Sequence, residues 1–368
     1  MSTRSGRSPV YEGLVEDLRR AIRTGTLTSG EQLPSEAALV RNYGISRTSV
    51  RLGLSLLAKD GLIRSVPGRG SFATTGEGYA SSRRITMIVP DPGETLCALI
   101  VAGASREAME RGWEVVLSQS SEDPGLEQLA ISRSIARKDD GIIIFPSDKR
   151  RAPDGLALLR ESGTPTILVD RSVPGFGFDV VESDHRAGAY KATAHLIRLG
   201  HRSLAFLTTD NLTTSSVAER LTGFREALRE SSIVFQSRHL WFACSPMSPE
   251  ERESIKSALL DSHRPTAVFA VNDVLASELI AFATAIGVPV PSGLSVVGFD
   301  GLERTAQASG LTTVRQPAEE IGATAVQMLA ERLDGRITGP GRVRTLQVAL
   351  VEGTTATTAA VVDSAGVR

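Results

Sequence analysis

The sequence predicts an α/β protein in two parts. A small amino-terminal head holds three helices and a hairpin, and a larger body holds parallel sheets covered by helices. Three observations carry this. Apolar residues between positions 9 and 60 recur at three- and four-residue steps. Beyond position 84, runs of Val, Ile and Leu alternate with helical patterns, as expected of parallel strands buried on both faces. Charge is also divided unevenly along the chain.

The chain has 368 residues, 41 % apolar and 23 % charged, which is the balance of a globular protein with room for two or three domains. Its formal charge of −1 conceals an asymmetry: residues 1–75 carry 11 Lys/Arg against 6 Asp/Glu, or +5, which leaves −6 for the rest. A basic head on an acidic body is expected where only the head meets phosphate. The opening "MSTRSGRSPV" lacks the apolar core of a signal peptide, and no run reaches the roughly 20 apolar residues of a membrane helix. A cytoplasmic protein is expected, with Cys97 and Cys244 as reduced, buried thiols. The spacing of the five histidines suggests no metal site.

In the head, "PVYEGLVEDLRRAIRTG" places Leu14, Leu18, Ala21 and Ile22 on one helical face and stops at Gly25. Ser35 can cap "EAALVRNY", which Gly44 ends, and Ser46 can cap "RTSVRLGLSLLAKD", which ends at Gly61. The short link Tyr43-Gly44-Ile45 suits a helix-turn-helix. On the third helix Val50, Leu54 and Leu57 face the core, while Arg47 and Arg51 share another face. Such a helix fits a major groove, where an arginine fork matches guanine and hydroxyls reach phosphates or base edges. "LIRSVPGRGSFAT" reads as a hairpin whose glycines let Arg69 approach a phosphate or a narrow minor groove. The candidate DNA contacts are therefore Ser35, Ser46, Arg47, Thr48, Ser49 and Arg51, with Gly68, Arg69 and Gly70 at the wing tip.

The motifs "LPSE", "SRTSVR", "L..DGLI" and "GRGSF" make residues 9–75 resemble the winged helix-turn-helix of the GntR transcription regulators. The resemblance implies that Arg47, Thr48, Ser49 and Arg51 read duplex DNA and that Gly68 to Gly70 form the wing. Ala37 stands where that family often has an arginine, so one customary contact is missing.

"ATTGEGYASSRR" (73–84) has the composition of a linker. Strand-like runs follow at 85–91, 113–120, 141–148, 165–171, 203–209, 240–244, 266–273 and 294–300. Five of them end in an acid: Asp91, Asp148, Asp170, Asp273 and Asp300. Ligands of open α/β sheets bind beyond the carboxyl ends of the strands, although an Asp there equally caps the next helix. The expected domains are a head at 1–75, a linker at 76–84, an effector body at 85–355 and a tail at 356–368.

The body motifs "HLIRLGHRSLAFL", "ERLTGFREAL", "PTAVFAVNDVLA", "LSVVGFDG" and "LTTVRQP" resemble the effector domain of LacI-type regulators, which share the periplasmic-binding-protein-like fold. The whole chain is similar to the AraR-like subgroup. The resemblance implies two lobes joined by crossings near Glu182–Ser183, Thr313–Val314 and Gly339. The ligand would lie between the lobes, held by Arg220, Asn272 and Asp300 from the second and by Asp91 and Asp170 from the first. Carboxylate, amide and guanidinium groups suit the hydroxyls of a sugar or sugar derivative. Met247 stands where relatives often stack an aromatic, and Gly301 where they carry a second acid. Trp241 is expected in the core.

The expected function is a dimeric, ligand-responsive transcription regulator, most often a repressor, without a cofactor. A non-sugar metabolite or an activating response is the alternative. The body shows no GxSxG, P-loop or Rossmann GxGxxG, so an enzyme fused to the head is not expected. A secreted solute receptor would need a signal peptide and no basic head.

Overall fold

The computed structural model describes residues 11–66, 69–74, 83–147, 153–301 and 310–359. Gly68, Asp148, most of the linker and the end of the tail lie outside the described residues. The chain divides into two compact units, Met1–Arg83 and Arg84–Arg368.

The head contains α1 (Glu12–Arg23), α2 (Glu36–Tyr43), α3 (Arg47–Lys59) and a hairpin of β1 (Ile63–Val66) and β2 (Gly70–Ala73). Ser35 Oγ accepts from the Ala38 N–H at 3.2 Å, and Gly44 closes α2 in the left-handed region at φ 64°. Ser46 Oγ accepts from the Ser49 N–H at 3.1 Å and starts α3. Val50, Leu54 and Leu57 pack with Leu14, Leu18, Leu33, Leu39 and Ile63 into one core. Each such side chain contributes roughly 1.5–3 kcal/mol by leaving water. Residues 30–33 add a third, short edge to the hairpin through Leu33 N–H to Ser71 O and Ala73 N–H to Glu31 O.

The body begins with β3 (Arg84–Val89), α4 (Thr95–Glu110), β4 (Glu114–Gln119), α5 (Pro124–Arg137), β5 (Gly141–Ile144), α6 (Pro153–Ser162), β6 (Thr166–Val169) and β7 (Asp179–Ser183). It continues with α7 (His185–Arg198), β8 (Leu204–Thr208), α8 (Ser215–Glu230), β9 (Leu240–Phe242), α9 (Pro249–Leu260), β10 (Ala267–Ala270), α10 (Asp273–Ala285), β11 (Ser295–Asp300) and β12 (Thr312–Arg315). Last come α11 (Ala318–Leu333), β13 (Val343–Leu346) and β14 (Ala349–Val351).

Among the described residues the strands form two six-stranded sheets. The first lobe has the order β13-β7-β6-β5-β3-β4, all parallel. The second has β14-β12-β11-β10-β8-β9, parallel except for β14. Alternate residues of one strand enter different cores: Ile143, Ile167 and Val181 face α4 and α11, whereas Ile142, Ile144, Leu168 and Val180 face α5 and α6. Two covered faces require an unbroken apolar run rather than an alternating one.

Among the described residues the chain passes between lobes three times. The first passage, from β7 to α7 through Asp184, falls where the resemblance implies. The second lies at Gln316–Pro317, just beyond Thr313–Val314. The third lies at Gln347–Val348, between β13 and β14, and not at Gly339, which belongs to the loop before β13. Residues of the expected tail up to 359 are hydrogen-bonded to the body. Thr357 N–H donates to Ser295 Oγ, and Ala359 N–H to Leu199 O, so this stretch is bound to the second lobe.

Candidate functional site

On α3 of the head, Arg47, Thr48, Arg51 and Leu52 are exposed on the face opposite the core. Arg51 Nε donates to both oxygens of Glu36, at 3.0 and 3.1 Å, so the acid of "LPSE" orients it. Ser35 and Ser46 use their oxygens as helix caps, and the Ser49 hydroxyl bonds that of Ser46 at 2.9 Å. For a DNA partner these serines offer only what capping leaves over. Leu52 is 47 % exposed beside the arginines, where it can meet a thymine methyl. Its place within an apolar pattern hid it from sequence reasoning. At the wing tip Arg69 is exposed, and Gly70 has φ 105°, a conformation that glycine supplies.

In the body, the carboxyl ends of the parallel strands place Asp170 after β6 and Asp300 at the end of β11. Both are buried with positive φ, 64° and 123°. Arg220 of α8 is 5 % exposed. It donates to Val271 O at 2.6 Å, lies 3.7 Å from Asp300 Oδ1, and sits 3.9 Å from the centre of the Phe299 ring. His185, at the start of α7, joins the lobes. Its Nδ1 accepts from Arg220 Nε and Nη2 at 3.4 and 3.3 Å, which leaves the proton on Nε2, donating to Asp170 O at 3.1 Å. Ser172 N–H donates to Ser215 Oγ at 2.8 Å, a second contact between lobes.

Burial and the neighbouring Arg220 push His185 down to about 4, so it is neutral at physiological pH. Burial pushes the Asp300 carboxyl well up, against the pull of Arg220 and with repulsion from Asp273 adding to the rise. Glu182, one residue before the end of β7, is pushed up to about 7 by burial and by Asp170, Glu219 and Asp184.

Several buried polar atoms at these strand ends have no protein hydrogen-bond partner. They include Ser120 Oγ, Ser147 Oγ, Asp170 Oδ1 and Ser183 Oγ in the first lobe, and Thr208 Oγ1, Thr209 Oγ1, Thr214 Oγ1 and Gln316 Oε1 in or beside the second. Gln316 Nε2 donates to Asp300 Oδ1 at 2.8 Å, while its own oxygen is buried without a protein partner. An unsatisfied buried polar group costs roughly 1–3 kcal/mol, so this concentration favours a polar ligand. Sequence reasoning missed His185, Gln316 and the hydroxyls, since single Ser and Thr residues after strands carry no distinguishing pattern.

The remaining expected contacts are less engaged. Asp91 is exposed, and its Oδ1 accepts from Gly93 N–H at 2.9 Å in its own turn. Asn272 caps α10, with Oδ1 accepting from Leu275 N–H at 2.8 Å, so part of its hydrogen-bonding capacity is spent on the helix. Asp273 is a structural hub that accepts from Gly301 N–H and Thr313 Oγ1. Met247 lies in the second-lobe core rather than in the cleft, because its backbone is drawn in by Glu278. Trp241 is core, as expected, but Cys244 is exposed, since it follows the edge strand β9.

Among the described residues no group of acids, cysteines and histidines could hold a metal ion, and no helix is long and apolar enough to cross a membrane. Comparison with known proteins agrees with this architecture. Residues 10–72 match the bacterial regulatory proteins of the gntR family, and residues 193–356 match the periplasmic binding protein-like domain. The arabinose metabolism transcriptional repressor of Geobacillus stearothermophilus is 27 % identical over 338 residues, covering 89 % of this chain and 92 % of that protein. The HTH-type transcriptional regulator DegA of Bacillus subtilis strain 168 is 31 % identical over 267 residues, 70 % of this chain and 75 % of that one. A LacI family regulator from Enterococcus faecium, solved with bound ribose, superposes with a TM-score of 0.63 at 25 % identity, covering 75 % of this chain and 100 % of that one. With this head, these sheets and this cleft, the chain belongs to the helix-turn-helix transcriptional regulators that carry a periplasmic-binding-protein-like effector domain, and its head is of the GntR type.

Proposed function

We propose that this regulator is a repressor that grips operator DNA through Arg47, Thr48, Arg51 and the wing-tip Arg69, and that a neutral sugar bound between the lobes controls it. The observations that carry the sugar are the buried group of Arg220, Asp300 and Gln316, linked to Asp170 through His185, and the unsatisfied hydroxyls at strand ends of both lobes. Hydroxyl groups donate and accept at once, and so do those of a polyol. The arabinose repressor and the ribose-bound regulator among its relatives support the same class of effector. Control is then a difference in ligand affinity between DNA-competent and incompetent states, and it acts in both directions.

A second copy of the chain is the proposed partner. Met109, Leu117, Leu126 and Leu129 are exposed around the edge strand β4 in the first lobe, and Phe242 is exposed on the edge strand β9 in the second. Apolar side chains gathered at unpaired edges of both lobes suit a dimer, which would bind two half-sites in the cytoplasm. Thermal-shift measurements with arabinose, ribose, cellobiose and their phosphates test the effector. A neutral sugar should raise the melting midpoint and release a bound duplex. Stabilisation by phosphorylated sugars alone would refute the neutral class, and a monomer at micromolar concentration in sedimentation would refute the dimer.

A further inference from the structure

We propose that Gln32 is a positioning residue for DNA recognition: its side-chain amide clamps the backbone of the wing tip and so aims Arg69. The inference rests on the reading that Arg69 contacts duplex. Gln32 Nε2 donates to the Arg69 carbonyl oxygen at 2.7 Å, across 37 residues of sequence. The Arg69 N–H donates in turn to Val66 O at 3.0 Å. Arg69 is thus held through both of its backbone polar groups while its side chain stays exposed.

The same placement of the amide bears on Gly70. A Cβ built on Gly70 would lie 2.8 Å from Gln32 Nε2, and φ at Gly70 is 105°. A bare α-carbon at this position therefore serves two ends, the tight turn and the passage of the amide to the carbonyl. The Gln32 backbone is itself anchored. Its neighbours Glu31 and Leu33 bond Ala73 and Ser71 on β2, and Gln32 bridges Phe72.

The same short segment continues into Glu36, which holds Arg51 on the recognition helix. Residues 32–36 consequently index the wing arginine and the helix arginine to one piece of backbone. A glycine-flanked turn left free would sample many conformations and lose that freedom on binding. Holding it in advance lowers the ordering cost of the complex.

The test uses the full-length protein and a duplex that it selects from a randomised pool. Gln32→Met keeps the length of the side chain and removes the donor. We expect it to weaken binding about three- to tenfold, the range of one hydrogen bond, with an unchanged melting midpoint because Gln32 is exposed. Arg69→Ala should weaken binding at least as much, and the double variant should be no weaker than Arg69→Ala alone. Hydroxyl-radical footprints of Gln32→Met should lose protection only at nucleotides that Arg69→Ala also exposes. Full additivity in the double variant, or no effect of Gln32→Met beside a clear effect of Arg69→Ala, overturns the role of Gln32 and leaves the wing contact standing. No effect of Arg69→Ala removes the wing contact itself, and the role of Gln32 with it.

Discussion

Replacing Arg220 by alanine tests the cleft most directly. The side chain is buried and carries four interactions: a hydrogen bond to Val271 O, the contacts with His185, the pairing with Asp300 and the approach to the Phe299 ring. Removing one member of a buried ion pair leaves its partner uncompensated and typically costs about 3–5 kcal/mol. A domain of this size loses about 2–4 °C of melting midpoint per kcal/mol, so the midpoint should fall by about 6–20 °C. Asp300 is already raised by burial, and loss of the cation raises it further. A carboxyl whose folded pKa lies above its unfolded value favours folding below the unfolded value and loses that contribution as pH rises. Arg220→Ala should therefore lose more stability at pH 8 than at pH 5. Adding Asp300→Asn should recover part of the loss, since it removes the uncompensated acid. Calorimetry across this pH range measures both effects, and a gel shift with the identified sugar measures the blunted response. A cost under about 1 kcal/mol with no recovery in the double variant would refute the buried pair. A normal response to ligand would refute its place in the cleft.

Arg47→Ala should weaken specific DNA binding by about 1–3 kcal/mol and relax base choice, as read by competition gel shift; unchanged affinity counts against the α3 contact. Burial and three neighbouring acids raise Glu182 to about 7, so its contribution to stability is present at low pH and lost as pH rises through that value. Glu182→Gln should accordingly be more stable than the parent at pH 8 and no more stable at pH 4.5 in urea denaturation; a constant difference would exclude titration as the cause. Gly223→Ala would set a Cβ on the Arg186 carbonyl oxygen where α8 meets α7. Loss of about 1–3 kcal/mol is expected in the same assay, and a neutral result would mean that the helix pair has slack.

Local patterns reached far into the fold. The caps Ser35 and Ser46, the stops Gly44 and Gly61, and the buried triad Val50, Leu54 and Leu57 depend on residues within a turn or two of each other, and they stand where periodicity puts them. The doubly covered strands were equally legible, because burial on two faces demands the unbroken runs seen at 141–144 and 166–169. The strands at the lobe passages were not. β13 reads "VRTL" with only Leu346 buried, and it became a strand by pairing with β7, more than 150 residues earlier in the chain.

The candidate cleft divides in the same way. Strand ends rich in Asp, and an arginine in "ERLTGFREAL", were visible in order along the chain. Which acid stands buried beside Arg220 was not, because Asp91 in its own turn, Asp273 among structural donors and Asp300 look alike in one dimension. Sequence alone determined the helix caps, the basic head and the parallel sheets, since each follows from short-range periodicity and charge. Tertiary structure decided which polar groups meet across the lobes and which hydroxyls go unpaired. Those depend on how residues such as His185 and Asp170, or Gln32 and Arg69, are carried together by the rest of the chain.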